Sequence, residues 1–167
     1  KYNYLIECKA AKLTIKQQYS SFFDERSAQF DELAKGVLQL WRQVSFYSET
    51  DNMYPVLLTY DRWLFLNELD REHLYKRARE LAGDSLEHLS YQGNVVLCTI
   101  ESLEICLSVC DADQLSQLFT LALEDECNGY IVSVLLNRVV PEYSKSDRKL
   151  SLSLSDFGAE WDFGKRS

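Results

Sequence analysis

The alternation of short apolar runs with long amphipathic segments constrains this chain more than any other feature of it. Residues 54–60 (Y-P-V-L-L-T-Y) are apolar at nearly every position, and residues 94–98 (N-V-V-L-C) repeat the pattern. A strand with one wet face alternates polar and apolar side chains. An unbroken apolar run this short therefore reads as a strand covered on both faces. Pro55 fits only near the start of such a strand, because it cannot donate to a ladder. Residues 2–8 are rich in β-forming side chains and read as a further strand.

The clearest helix lies between the first two of these runs. Phe30, Leu33, Ala34, Val37, Leu38, Trp41 and Val44 recur at i, i+3, i+4 and i+7. That spacing predicts a helix from near Asp24 or Ser27 to near Tyr47. Gly36 inside it costs about 1 kcal/mol relative to Ala and marks a close approach to a neighbour. Residues 70–82 form a second helical pattern with Leu74, Ala78 and Leu81 on one face and Gly83 as its stop. Thr99 reads as the N-cap of a helix running through Leu103 and Leu107. Residues 112–126 and 130–139 make two more helices, divided by Asn128-Gly129. Residues 12–21 read as a loop or irregular helical turn, and 48–52 as a turn.

The order is strand, helix, strand, helix, strand, then helices. Parallel strands need a crossover, so this order predicts an α/β fold with some parallel pairing. Residues 1–140 are expected to form the α/β body, helical in its later part. Residues 141–167 are expected to be a tail packing on that body through Phe157, Trp161 and Phe163. The Ser-Leu alternation at 151–154 is able to form an edge strand. The two Asp-Phe-Gly triplets at 156–158 and 162–164 have no kinase-like surroundings and carry no metal-site weight. The apolar stretch Tyr4-Leu5-Ile6 begins almost at once and no Met precedes it, so part of the core is expected upstream.

Composition narrows the function. Over 167 residues, 46% hydrophobic and 26% charged residues are the mixture of a globular domain, and no apolar run is long enough to cross a membrane. The formal charge of −8 is unevenly placed. Residues 1–50 hold seven Lys/Arg against six Asp/Glu, whereas residues 51–167 hold eleven against twenty. A polyanion-facing surface is therefore sought in the first fifty residues. Cys8, Cys98, Cys106, Cys110 and Cys127 are odd in number and form no C-x-x-C pair. They are expected to be buried or half-buried free thiols in a reducing cytoplasm, with Cys106 and Cys110 on one helix face. His73 and His88 are too scattered to build a zinc site. Scattered glycines form no phosphate loop, and no G-x-S-x-G elbow or Cys/His spacing supports a small-molecule enzyme.

The chemistry concentrates in Leu5-Ile6-Glu7-Cys8-Lys9. Alternation places Glu7 and Lys9 on one strand face and Cys8 on the other. A carboxylate and an ammonium then stand side by side where the apolar strand ends. Mg²⁺ prefers hard oxygen ligands, which the Glu7 carboxylate and the Cys8 backbone carbonyl supply. A lysine there orients a hydroxide or offsets charge in a phosphorane-like transition state. An ordinary surface ion pair uses the same residues, so the pair acquires meaning from its surroundings.

Those surroundings resemble a known family. I-E-C-K-A, a helix containing Q-L-W-R-Q, and then Y-P-V-L-L-T-Y resemble the second half of a PD-(D/E)XK nuclease core. That superfamily includes many restriction endonucleases and DNA-repair nucleases. The segment V-V-L-C-T-I-E-S-L-E is similar to a strand leading into an I-x-x-L-E helix in large bacterial proteins of this type. The resemblance covers residues 2–110. It implies a restriction-endonuclease-like mixed sheet flanked by helices, with the first part of the core missing. It also implies Glu7 as a metal ligand, Lys9 as the catalytic lysine, and Gln39 as a glutamine near the metal or the attacking water. Lys12, Lys16 and Arg42 would contact phosphates. The implied cofactor is Mg²⁺ or Mn²⁺, the substrate DNA, and the setting bacterial defence in the cytoplasm. The pattern also calls for an Asp on a preceding strand. Asp24, Asp61 and Asp70 all follow the motif and do not fill that place. The alternative is a non-catalytic, acidic module of immunity or accessory type that docks a basic protein through residues 51–167.

Overall fold

The computed structural model describes residues 2–10, 28–47, 52–60 and 68–143. Within them the chain is an α/β fold with three strands and five α-helices, in the order β1 (Asn3–Lys9), α1 (Ala28–Phe46), β2 (Met53–Thr59), α2 (Glu68–Ala82), β3 (Val96–Thr99), α3 (Ile100–Val109), α4 (Ala112–Leu123) and α5 (Val132–Val139). A 3₁₀ turn, Gly83–His88, follows α2. The sheet order is β1-β2-β3 and both pairings are parallel. The expected mixed sheet is corrected to this extent: every described strand pair is parallel.

The crossovers dictate the layers. Two successive right-handed β-α-β units that step across a sheet in one direction place both helices on the same face. Accordingly α1 and α2 pack together over one face, with Leu5, Leu57 and Leu97 beneath Phe30, Val37, Trp41 and Leu74. The remaining helices cover the other face, where Tyr4, Val56, Val96 and Cys98 meet Cys106, Leu118, Phe119, Leu135 and Leu136. β2 is thus enclosed between two apolar layers, which is why its sequence shows no alternation.

The ladder explains Pro55. The Asn52 carbonyl accepts from the Asn3 N–H, and the Tyr60 N–H donates to the Lys9 carbonyl. Even-numbered residues around β2 therefore address β1, and odd-numbered ones address β3. Pro55 faces the β3 side, where pairing starts only at Val56 opposite Val96. Its missing N–H removes nothing from the ladder.

Several ends differ from the sequence reading. α1 is described from Ala28, next to the expected start near Ser27, and the residues just before it lie outside the described ones. β3 begins at Val96, not Asn94, because the Asn94 amide is turned to the Leu123 carbonyl and the Asp125 carboxylate. α4 stops at Leu123 instead of running to 126, and α5 starts at Val132 instead of 130. The residues between them are drawn in by Asn128, whose buried amide donates to the Val95 and Ala122 carbonyls and accepts from the Tyr75 hydroxyl. Gly129 follows at φ 94°, a conformation side chains disfavour. Thr99 is the N-cap expected, its hydroxyl accepting from the Ser102 N–H. Residues 12–21 and 144–167, including the Ser-Leu and Asp-Phe-Gly segments, lie outside the described residues.

Candidate functional site

In an open parallel sheet, side chains leaving the carboxyl ends of the strands escape the core first, and ligands gather there. The three described strands end together. Lys9, Thr59 and Thr99 are partners in one row of the register. They share the face of Leu5, Leu57 and Leu97, directed toward α1 and α2.

Three of the sequence-derived residues meet at this end. The Lys9 Nζ lies 3.0 Å from the Glu7 Oε1 and donates to the Gln39 Oε1 at 2.8 Å. Glu7 is two residues back on the same strand and face. Gln39 comes from α1, thirty residues on. The Lys9 and Glu7 side chains are only 14% and 19% exposed, so water screens this pair less than it does an open surface pair.

Gly36 makes the meeting possible. A Cβ built there would stand 2.6 Å from the Leu57 Cδ1, 3.0 Å from the Lys9 Cε and 3.2 Å from the Lys9 Cγ. The bare backbone at Gly36 lets the lysine stem lie across α1. Gln39, one turn further along the helix, then receives the ammonium.

The other expected residues divide. Arg42 is exposed on α1, on the solvent stripe that also carries Lys35 and Gln39 at i, i+4, i+7 spacing, and is not among the partners of Lys9. Lys35 on that stripe is paired with Glu32 at 2.6 Å. Lys12 and Lys16 lie outside the described residues. The Cys8 carbonyl, by ladder alternation from Lys9, points to the edge of β1 that faces away from β2. The Cys8 side chain is exposed, which corrects the expectation of a buried or half-buried thiol there. Ile6 beside it is 47% exposed, since among the described residues no layer lies over the second face of this end of β1.

A divalent cation tests this end for its donors. Among the described residues no group of three His, Cys, Asp or Glu side chains converges on a point. The cluster offers one carboxylate, Glu7, and one backbone carbonyl, Cys8. These are hard oxygen donors of the kind Mg²⁺ accepts when water and substrate phosphate complete its shell. The donors fit in kind and supply the minimum in number.

One group escaped the sequence reading. Thr59 is 1% exposed and its Oγ1 has no hydrogen-bond partner among the described residues. Its signal is the register opposite Lys9, which joins residues fifty apart and leaves no mark on local spacing.

Elsewhere, a cavity of about 340 Å³ is lined by Glu68, Arg71, Asp125, Glu126 and Tyr130 among others, and shares no residue with the Glu7 cluster. The five cysteines are all free. Burial pushes the Cys98 thiol up to about 12 and raises Cys106 as well, so neither is a ready thiolate at neutral pH. No helix among the described residues is long and apolar enough to cross a membrane. Comparison of the chain with protein-family models, with curated proteins and with solved structures finds no match.

Proposed function

We propose that this chain carries the (D/E)XK half of a metal-dependent nuclease core and takes part in hydrolysing DNA phosphodiester bonds. The observation that supports this reading is the convergence of Glu7, Lys9 and Gln39 at the carboxyl end of β1. Chance surface pairing accounts for a Glu and a Lys at i, i+2. It does not account for a helix glutamine on the same ammonium, with a glycine clearing the path.

The Glu7 carboxylate and the Cys8 carbonyl would hold Mg²⁺ or Mn²⁺, which when bound supplies an activated water and a counter-charge for the phosphate. Lys9 places a positive charge where the phosphorane-like transition state gathers negative charge. Gln39 fixes the lysine stem so that this charge is positioned before the substrate arrives. Arg42, exposed further along the same stripe of α1, would meet a backbone phosphate. In this reading the restriction-endonuclease-like topology accounts for the β1-α1-β2 unit and for the role of its edge strand.

The test is cleavage of single- and double-stranded DNA in Mg²⁺ or Mn²⁺, together with calorimetric titration of Mn²⁺. Glu7→Gln and Lys9→Met are expected to lower cleavage by roughly 100-fold or more, and Gln39→Leu by about tenfold. Glu7→Gln is also expected to abolish Mn²⁺ binding. A Glu7→Gln protein that binds Mn²⁺ and cleaves like its parent refutes the proposal, as does a parent that does neither. The acidic-module reading has one observation in its favour, the cavity edged by Glu68, Asp125 and Glu126. It predicts that substitutions at Glu7 and Lys9 are without consequence, and that charge reversal at Asp125 and Glu126 alone weakens a basic protein partner.

A further inference from the structure

The row that closes the sheet holds three polar side chains, and two of them are engaged. The Lys9 ammonium is held by Glu7 and Gln39, and the Thr99 hydroxyl caps α3. Thr59 stands between them on the middle of the three described strands, 1% exposed and with a hydroxyl that has no partner among the described residues. An orphan hydroxyl in such a place is costly to the fold. Valine would occupy the same volume without that cost. The position therefore carries a hydrogen-bonding group that the described residues leave unused.

Its neighbours say what it would bind. On one side is an ammonium. On the other is the N-terminus of α3, a ten-residue helix whose first N–H groups carry partial positive charge. Neighbouring strands are about 4.8 Å apart, so groups from adjacent strands of one row reach the same small anion. A cation, a hydroxyl donor and a helix N-terminus in line match the oxygens of a phosphate. Of the carboxylates around this end, Glu7 is matched by Lys9 and Glu32 by Lys35, while Glu101 in the first turn of α3 carries no such partner among the described residues and offsets part of that helix's positive end.

We propose that Thr59 is a phosphate-binding residue of this site, its hydroxyl donating to a non-bridging oxygen of the DNA phosphate that Lys9 attracts. The proposal rests on reading the Glu7–Lys9 end of the sheet as a phosphodiester site. The hydroxyl is covered in the free protein, so its engagement accompanies the side-chain movement that admits the phosphate. The group thus weakens the free fold and strengthens the complex, and the two effects have opposite signs.

The experiment uses the full 167-residue chain in EDTA with fluorescent DNA duplexes and single strands. Binding is read by anisotropy and stability by thermal unfolding. Thr59→Val is expected to weaken binding about tenfold while melting at or above the parent temperature. Thr59→Ser, which keeps the hydroxyl, is expected to bind within about twofold of the parent. Lys9→Met is expected to bind weakly. Binding that depends on Lys9 but is unchanged in Thr59→Val overturns the proposal and leaves the site reading intact. Equal weakening by Val and Ser also overturns it, since packing rather than the hydroxyl then matters. Parent-like binding by Lys9→Met overturns the site reading and this inference with it.

Discussion

Gly36→Ala measures how tightly α1 is laid on the sheet. Two terms of opposite sign compete. Alanine in a helix interior is favoured over glycine by about 1 kcal/mol. Against this, the new methyl would stand 2.6 Å from the Leu57 Cδ1, where ordinary contact is no closer than about 3.4 Å. Leu57 is fully buried on the central strand and has no solvent into which to retreat. Overpacking of this kind costs about 1–3 kcal/mol, so the variant is expected to lose about 1 kcal/mol net. Gly36→Val gains less propensity and adds two more methyl groups, and is expected to lose about 3 kcal/mol. Urea unfolding followed by tryptophan fluorescence reads both, with m unchanged if the folded state stays compact. The second contact, 3.0 Å to the Lys9 Cε, adds a local consequence. The lysine stem must lift and its bond to Gln39 lengthens, so Lys9-dependent DNA binding falls with stability. A Gly36→Ala protein more stable by the full helix-propensity gain would show that α1 has room there, and the account of how Lys9 reaches Gln39 would fail.

Three further perturbations probe the rest of the fold. Asn128→Ala removes an amide that donates to the Val95 and Ala122 carbonyls and accepts from Tyr75, leaving buried groups unpaired; a loss of about 3 kcal/mol or more is expected in urea unfolding, and a loss under about 1 kcal/mol would contradict it. Hydrogen bonds from Arg77 hold the Asp31 carboxyl below its usual range, so its contribution is present above the unfolded value near 4 and is lost as pH falls through the lower folded value. Asp31→Asn is therefore expected to flatten the acid limb of the urea midpoint below about pH 4, and an unaltered limb would refute the linkage. Cys8 is exposed, Cys110 is half-buried with its thiol raised by burial, and Cys98, Cys106 and Cys127 are buried, so one rapid thiol is expected with a disulfide reagent at pH 8, and Cys8→Ser should abolish it.

What was legible in the sequence follows from where each strand sits. β2 announced itself because both its faces are apolar layers, and β1 because residues 2–8 are rich in β-forming side chains. The Ala28–Phe46 helix showed its period because it buries one long stripe, Phe30 to Val44, against a flat sheet. The ends of β3, α4 and α5 were not legible. They are decided by side chains turned to distant backbone, Asn94 toward Leu123 and Asn128 toward Val95 and Ala122. A propensity reading treats both asparagines as turn formers and has no means of knowing which carbonyls they reach. The candidate site divides along the same line. Glu7 and Lys9 are two residues apart and stood out by spacing; Gln39 stood out by resemblance alone. Thr59 was hidden, since nothing in V-L-L-T-Y marks the threonine as facing a lysine fifty residues earlier.

The asymmetry between strands also explains why the polar chemistry collects where it does. β2 is bounded by ladders on both edges and by apolar layers on both faces, so any charge in its middle would be stranded in the core. Only its last residue, Thr59, reaches polar company. β1 has a ladder on one edge among the described residues, and its second half leaves the cover of the helices, as the exposure of Ile6 and Cys8 records. A carboxylate and a lysine are tolerated there because each satisfies the other while Gln39 takes a remaining ammonium proton. That balance is conditional. Any group that draws the Glu7 oxygens away leaves Lys9 with one protein acceptor and a free positive charge beside an orphan hydroxyl. The same three residues are thus self-neutralised when alone and become an anion-attracting end of the sheet once Glu7 is occupied. Glu7→Gln mimics that release without a ligand. It is expected to cost stability through the lost half-buried pair, yet to tighten DNA binding measured in EDTA, and a variant that loses both would place Glu7 in the fold rather than in the site.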